Sequence, residues 1–169
     1  MQTIDDRLNT LPQVGRVEWI GLSPEARGAL RAVSEAKLLV DHGLEGDHHA
    51  KHRAGGKRQV TIIQQEHFAA IAGFLHREPP SPGLLRRNLV VSGINLLALK
   101  DKQFAIGDCR LEYSGPCDPC SRMEENLGPG GFNALRGHGG ITAKVLTGGA
   151  IRIGDEVRAV IPSPPEAQG

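Results

Sequence analysis

The sequence is short of cysteine, of net charge and of long apolar runs. Three cysteines among 169 residues are too few, and odd in number, for a disulfide-stapled scaffold, so they are read as thiols. A formal net charge of +1 carries no polyelectrolyte signal, and neither nucleic acid nor a membrane surface is expected as a partner. No apolar stretch approaches the ~20 residues of a membrane-spanning helix. The opening residues contain Asp5, Asp6 and Arg7 and no apolar core, unlike a secretory leader. The expectation is a cytoplasmic, reduced protein. Aromatic residues are also scarce at 4%, whereas glycine reaches 22 and proline 11. With short β-branched runs between them, these residues predict many turns and a β-rich fold. The length suffices for one domain with a sizeable core.

Along the chain, residues 1–13 are polar and aperiodic and read as a loose terminus. Strands are expected over Val14–Gly21, Ala36–Val40, Gln59–Gln64, Leu89–Val91, Gln103–Ile106, Arg110–Tyr113, Ile141–Leu146 and Ala150–Val160. Gly107-Asp108 turns between two of them, and Gly154-Asp155 is a turn or bulge in the last. Gln65–His76 has helical spacing, with Phe68, Ile71, Ala72 and Leu75 on one core-facing stripe. Ile94–Leu99 reads as a helical turn or apolar plug, and Phe132–Arg136 as a further helical turn. The Pro-rich end, 162–169, reads as a disordered tail. Residues 14–161 then form one domain, a β-rich α+β fold built on a closed or nearly closed barrel with a few peripheral helices.

Ser114–Glu125, SGPCDPCSRMEE, holds two of the three cysteines. Asp118 suits an N-cap and Pro119 the first helical position, which puts Cys120 in the first turn of a helix. The positive end of a helix favours an anion, so Cys120 reads as a reactive or metal-ligating thiolate. A buried, inert Cys120 is the plain alternative. Cys117 completes a C-x-x-C, as a resolving thiol, a neighbour of the reactive one, or packing. Cys109 looks structural.

Four of the seven histidines lie in Asp41–His52. That loop can hold a metal through His42, His48, His49 and His52, helped by carboxylates or the C-x-x-C. It can equally be a polar loop in which Asp47 caps a short helix. The reading between these places Asp47 and His48 beside a pocket as proton donors. Lys57, Arg58, Arg86 and Arg87 are candidate anion binders, although paired arginines also serve as solvated rims. The Gly137–Gly140 loop either turns or lets a ligand approach the backbone closely.

The motifs GLEGDHH (43–49), RQVTII (58–63), RRNLVVSGINL (86–96), FAIGD (104–108), GPCDPCSRME (115–124) and GHGGITAKVLTGGAIRIGDEV (137–157) occur in one order. In that order the chain resembles the MOSC domain family, named for the C-terminal domain of molybdenum-cofactor sulfurases. The resemblance spans about residues 14–160 and points to the small stand-alone bacterial type. It implies a MOSC-type β-barrel, and a family cysteine, here Cys120, that ligates molybdenum or carries sulfur. It also implies a pterin-type molybdenum cofactor, with Arg86, Arg87, Arg58, Lys57, Gly139 and Gly140 as candidates for its phosphate end. Cys120, His48 and Asp47 are the catalytic candidates, with His138 a further proton source.

The activity implied is reduction of N-hydroxylated small molecules. No attached pyridoxal-phosphate desulfurase domain is expected, and electrons or sulfur would then come from a separate donor protein, such as a cysteine desulfurase. Two alternatives stand beside it. One is a sulfur carrier with a persulfide on Cys120. The other is a zinc-binding module built on the histidine loop.

Overall fold

The structure, a computed structural model, describes residues 1–163. Most of the tail expected over 162–169 therefore lies outside the described residues. Eleven strands and four α-helices follow in the order α1 (Ile4–Leu8), β1 (Gly15–Leu22), β2 (Arg31–Val33), β3 (Glu35–Leu39), β4 (Gly43–Leu44), β5 (Val60–Gln64), α2 (His67–Leu75), β6 (Leu89–Ser92), β7 (Gln103–Ile106), β8 (Cys109–Pro116), α3 (Ser121–Leu127), α4 (Gly131–Leu135), β9 (Ile141–Thr147), β10 (Gly149–Arg152) and β11 (Glu156–Val160).

Seven strands close into a barrel in the order β1-β11-β7-β8-β9-β5-β6, with β6 returning to β1 and β2 appended to β1. Only β5 and β6 run parallel; every other neighbouring pair is antiparallel. The seam joins the two ends of the chain, Gly15 facing Val157 and Arg16 facing Glu156. Closure removes the unpaired edges that an open sheet would present. The barrel interior is filled by Val17, Ile20, Ile62, Leu89, Phe104, Leu111 and Val145, all fully buried.

The expected strand Ala150–Val160 is two strands. β10 leaves the barrel and pairs with β3, which pairs with β4 in a separate three-stranded sheet. Gly154, at φ +94°, makes the turn. The short β2 and β4 carry too few residues to show an alternation.

A second core lies outside the barrel. Ile63 and Val90 on its wall meet Ile71, Leu85, Met123, Leu127, Ala134 and Leu135. This core joins α2, α3 and α4 and fixes where α3 begins. Residues 1–13 are not loose throughout. Thr3 caps α1, accepting from the Asp6 N–H, while the Asp6 carboxylate accepts from the Thr3 N–H at 2.8 Å. That reciprocal pair stabilises a one-turn helix whose own side chains stay exposed.

Candidate functional site

Residues 86–88, Arg-Arg-Asn, tether three segments around the Cys120 loop. Arg86 turns at φ +57° and donates to the carbonyls of Gly28 at 2.6 Å and Ala26 at 3.1 Å, fixing the loop after β1. Arg87 is buried and donates to three carbonyls: Gly139 at 2.8 Å, Leu85 at 2.8 Å and Cys117 at 3.3 Å. Asn88 joins Thr61 on β5 to Gly21 on β1. The guanidinium of Arg87 is thus an internal clasp, and the phosphate contact expected of it is not available. Its charge is held in the interior without a carboxylate on it. Burial lowers its pKa, and the nearby Cys117 and Cys120 sulfurs work the other way.

The Cys117–Cys120 loop is shaped by that clasp. The Cys117 N–H donates to the Gly140 carbonyl at 2.9 Å, and its side chain is buried. Cys120 is exposed. It is the N-cap of α3, two residues after the expected cap Asp118, in extended conformation at φ −119° and ψ 175°. The first turn closes from the Cys120 carbonyl to the Met123 N–H at 2.9 Å, so Asp118 and Pro119 precede the helix. A seven-residue helix has a small dipole field. Arg86 and Arg87 both interact electrostatically with the Cys120 sulfur. Cys109 is buried, and burial raises its pKa, as suits a packing thiol.

Gly139 and Gly140 do not form an open cradle. A Cβ on Gly139 would lie 2.2 Å from the Cys117 carbonyl oxygen, and one on Gly140 1.9 Å from that of Ile62. The two glycines let the loop seat directly on the barrel and on the Cys117 segment. Both border a cavity of about 370 Å³, together with Gln64, His67, Tyr113 and Cys117. His138 stands apart from the histidine loop. It meets His67 edge-on, with ring centroids 4.7 Å apart.

On the histidine loop, a 3₁₀ turn over His48–Lys51 is capped by Asp47, whose carboxylate accepts from the His49 N–H. Asp47 is buried, and its oxygens also accept from the Ser23 N–H at 2.7 Å and His49 Nδ1 at 2.8 Å. Burial raises its pKa, but the bonds from His49 and Ser23 outweigh it and leave the carboxyl below its ordinary value. Asp47 therefore positions its neighbours and is not placed to deliver protons itself.

His48 Nδ1 must donate to the Ser23 carbonyl 2.9 Å away, which leaves a lone pair on Nε2. Burial lowers its pKa and favours the neutral ring. His49 Nδ1 donates to Asp47, and its Nε2 accepts from Arg58 Nε at 3.4 Å. Asp47, His48 and His49 bring potential ligand atoms within 4.8 Å of one another. Asp47 and His49 are spent on each other, however, and the Arg58 cation stands at the other ring nitrogen of His49. His42, His52 and the C-x-x-C are not in the group, so the donor set does not fit a closed zinc site.

Lys57 offers its carbonyl to the Ser114 hydroxyl. Arg86 interacts electrostatically with Cys120, Asp47, His48 and Arg122. The structure therefore brings Cys120, Arg86, Arg87, Arg58, His48 and Asp47 toward one region. Two residues of this region were not singled out in the sequence, Arg27 and Arg122, which share a cavity with Arg86; Arg27 belongs to no motif, and Arg122 stands in the cysteine motif without a role read for it.

The MOSC domain family matches residues 48–158, most of the chain, and the chain belongs to that family. No curated protein matches it. Among solved structures, the YuaD protein from Bacillus subtilis is 20% identical, with a TM-score of 0.76, over 91% of this chain and 100% of that one. YiiM from Escherichia coli is 19% identical, with a TM-score of 0.66, over 88% and 71%. YiiM from Geobacillus stearothermophilus is 20% identical, with a TM-score of 0.61, over 88% and 75%. These likenesses agree with the expected fold, a mainly β chain with a closed barrel and few helices. Among the described residues no helix is long and apolar enough to cross a membrane.

Proposed function

We propose that this MOSC-domain protein binds a pterin-type molybdenum cofactor through Cys120 and reduces N-hydroxylated small molecules. The observation that carries the reading is an exposed Cys120 within the field of two arginines, beside a buried Cys117. The residues fit such a group. Soft thiolate sulfur suits molybdenum, and guanidinium suits the phosphate at the pterin's far end. Cys120 would ligate the metal, and Arg86 with Arg58 would face the anionic part. When bound, the cofactor would pass two electrons to the substrate.

The chain's own part is in holding and moving protons. Reduction of an N–OH group to N–H consumes two protons and two electrons and releases water. His48, neutral at Nε2 and oriented through Nδ1 by the Ser23 carbonyl, takes up and returns a proton at that atom. His49, oriented by Asp47, presents its Nε2 to Arg58. The electrons come from a separate donor protein.

The test is metal analysis of protein purified anaerobically from a molybdenum-replete host. Wild type is expected to carry molybdenum near one equivalent. Cys120→Ala is expected to lose it while keeping its melting temperature, because the side chain is exposed. Full retention of molybdenum and activity in the variant would sink the proposal. The exposure of Cys120 also supports a second reading, a persulfide carrier. Protein free of molybdenum but releasing thiocyanate on cyanolysis, in wild type and not in Cys120→Ala, would favour it.

A further inference from the structure

The cavity of about 370 Å³ beside the Cys117 segment takes no part in the function proposed above. It opens where the two cores meet. Leu96 and Ile141 belong to the barrel core and Leu135 to the second one. Pro116 and Pro119 complete its apolar walls. Its size and composition are those of a small-molecule pocket, ~300–1,000 Å³ with mostly apolar walls and a few polar groups. Among the described residues, neither Cys120 nor any arginine lines it.

The acceptors around this cavity are already taken. Gln64 Oε1 accepts from the Leu96 N–H at 2.9 Å, and Asn95 Oδ1 from the Leu97 N–H at 3.1 Å. The Gly139 carbonyl accepts from Arg87 and the Gly140 carbonyl from the Cys117 N–H. Donors remain. Tyr113 brings a hydroxyl whose pKa is raised by burial, then by Asp101 and Asp118, so it keeps its proton. The His67 Nδ1 is enclosed without a partner. An unpaired lone pair there costs less than an unpaired N–H, so the proton goes to Nε2, the nitrogen left to a ligand. Burial, then His138, lowers the His67 pKa while Glu66 works the other way, which favours the neutral ring. The exposed carboxylate of Asp118 also borders the cavity and opposes an anionic ligand. Walls drawn from two packed cores favour a rigid ring over a flexible chain, because a ring loses less freedom on binding.

We propose that this cavity is a binding site for a small, uncharged aromatic compound bearing a carbonyl group. The carbonyl oxygen faces the His67 and Tyr113 donors, and the ring lies against Leu96, Leu135 and Ile141. The site is independent of the chemistry proposed at Cys120.

The test is an NMR titration of the isotope-labelled full chain with acetophenone, beside benzoate, which is of similar size but charged. Saturable shifts with acetophenone are expected at the amides of Leu96, Leu135, Gly139 and Gly140, and benzoate is expected to bind at least tenfold more weakly. His67→Phe/Tyr113→Phe keeps both rings and removes both donors. It is expected to bind acetophenone at least fivefold more weakly at an unchanged melting temperature. Three results on the wild-type chain alone would overturn the site, whatever the stability of the variant: no saturable shift, shifts confined to residues outside the cavity, or benzoate binding as tightly as acetophenone. A folded double variant that binds acetophenone as wild type does would overturn it as well.

Discussion

Arg87 shows how much one side chain can organise here. Its three carbonyl partners belong to the segment before β6, the Cys117 loop and the Gly137–Gly140 loop. Arg87→Met keeps the volume and removes the buried charge, but strands three carbonyls. Each buried group left unpaired costs ~1–3 kcal/mol, part of it offset by the relieved desolvation of the charge. A net loss of about 3 kcal/mol is expected in urea unfolding. The loosened loop should also let Cys117 react with a thiol reagent several-fold faster. Unchanged Cys117 reactivity would show that the clasp does not hold the loop. In the sequence, Arg86-Arg87 could be read only as a pair of cations. Nothing in the spacing tells which one points inward, because that depends on the αL turn at Arg86 and on loops 30 and 52 residues away in the chain.

At the scale of elements, the Gly137–Gly140 loop separates two costs of a methyl group. At Gly137 the backbone is at φ +79°, and an added Cβ would meet nothing within 4 Å, so Gly137→Ala carries only the left-handed penalty of ~1–2 kcal/mol. At Gly140 the φ of +88° comes with a backbone carbonyl oxygen 1.9 Å from where the Cβ would stand. Gly140→Ala should therefore cost several times more, as measured by chemical denaturation of the pair, and equal losses would contradict the close seating of the loop. Most barrel strands and α2 were legible, since β-branched runs and the Phe68–Leu75 stripe state their period within a few residues. The helix start at Cys120 was legible only to within two residues, because cap, proline and cysteine satisfy local rules in more than one register. The capping box Thr3–Asp6 was present in the sequence but too short to stand out from a polar terminus. β10 and β11 were fused because a turn at Gly154-Asp155 looks the same whether the next strand stays in its sheet or changes to another.

For the molecule as a whole, acid stability should fall in two stages. His48 and His67 have pKa values lowered first of all by burial. The folded state then binds fewer protons than the unfolded one. Their contribution is complete above the unfolded value of ~6.5 and is lost as pH falls below it, toward the folded value. The carboxyls of Asp47 and Glu66 are also low, because hydrogen bonds outweigh burial. Their contribution is present above ~4 and is lost as pH falls through the folded values. Urea midpoints between pH 8 and 3 should show both declines. Asp47→Asn should flatten the lower one, and a pH-independent midpoint from 8 to 5 would contradict the histidine stage.

The seam between β1 and β11 also bears on how the chain is made. During synthesis the N-terminal strand emerges first and must wait for its last partner until residues 156–160 have left the ribosome. Until then the nascent sheet keeps two open edges, on β1 and β7. A stalled or truncated product is thus the form of this protein most exposed to aggregation and to chaperone capture.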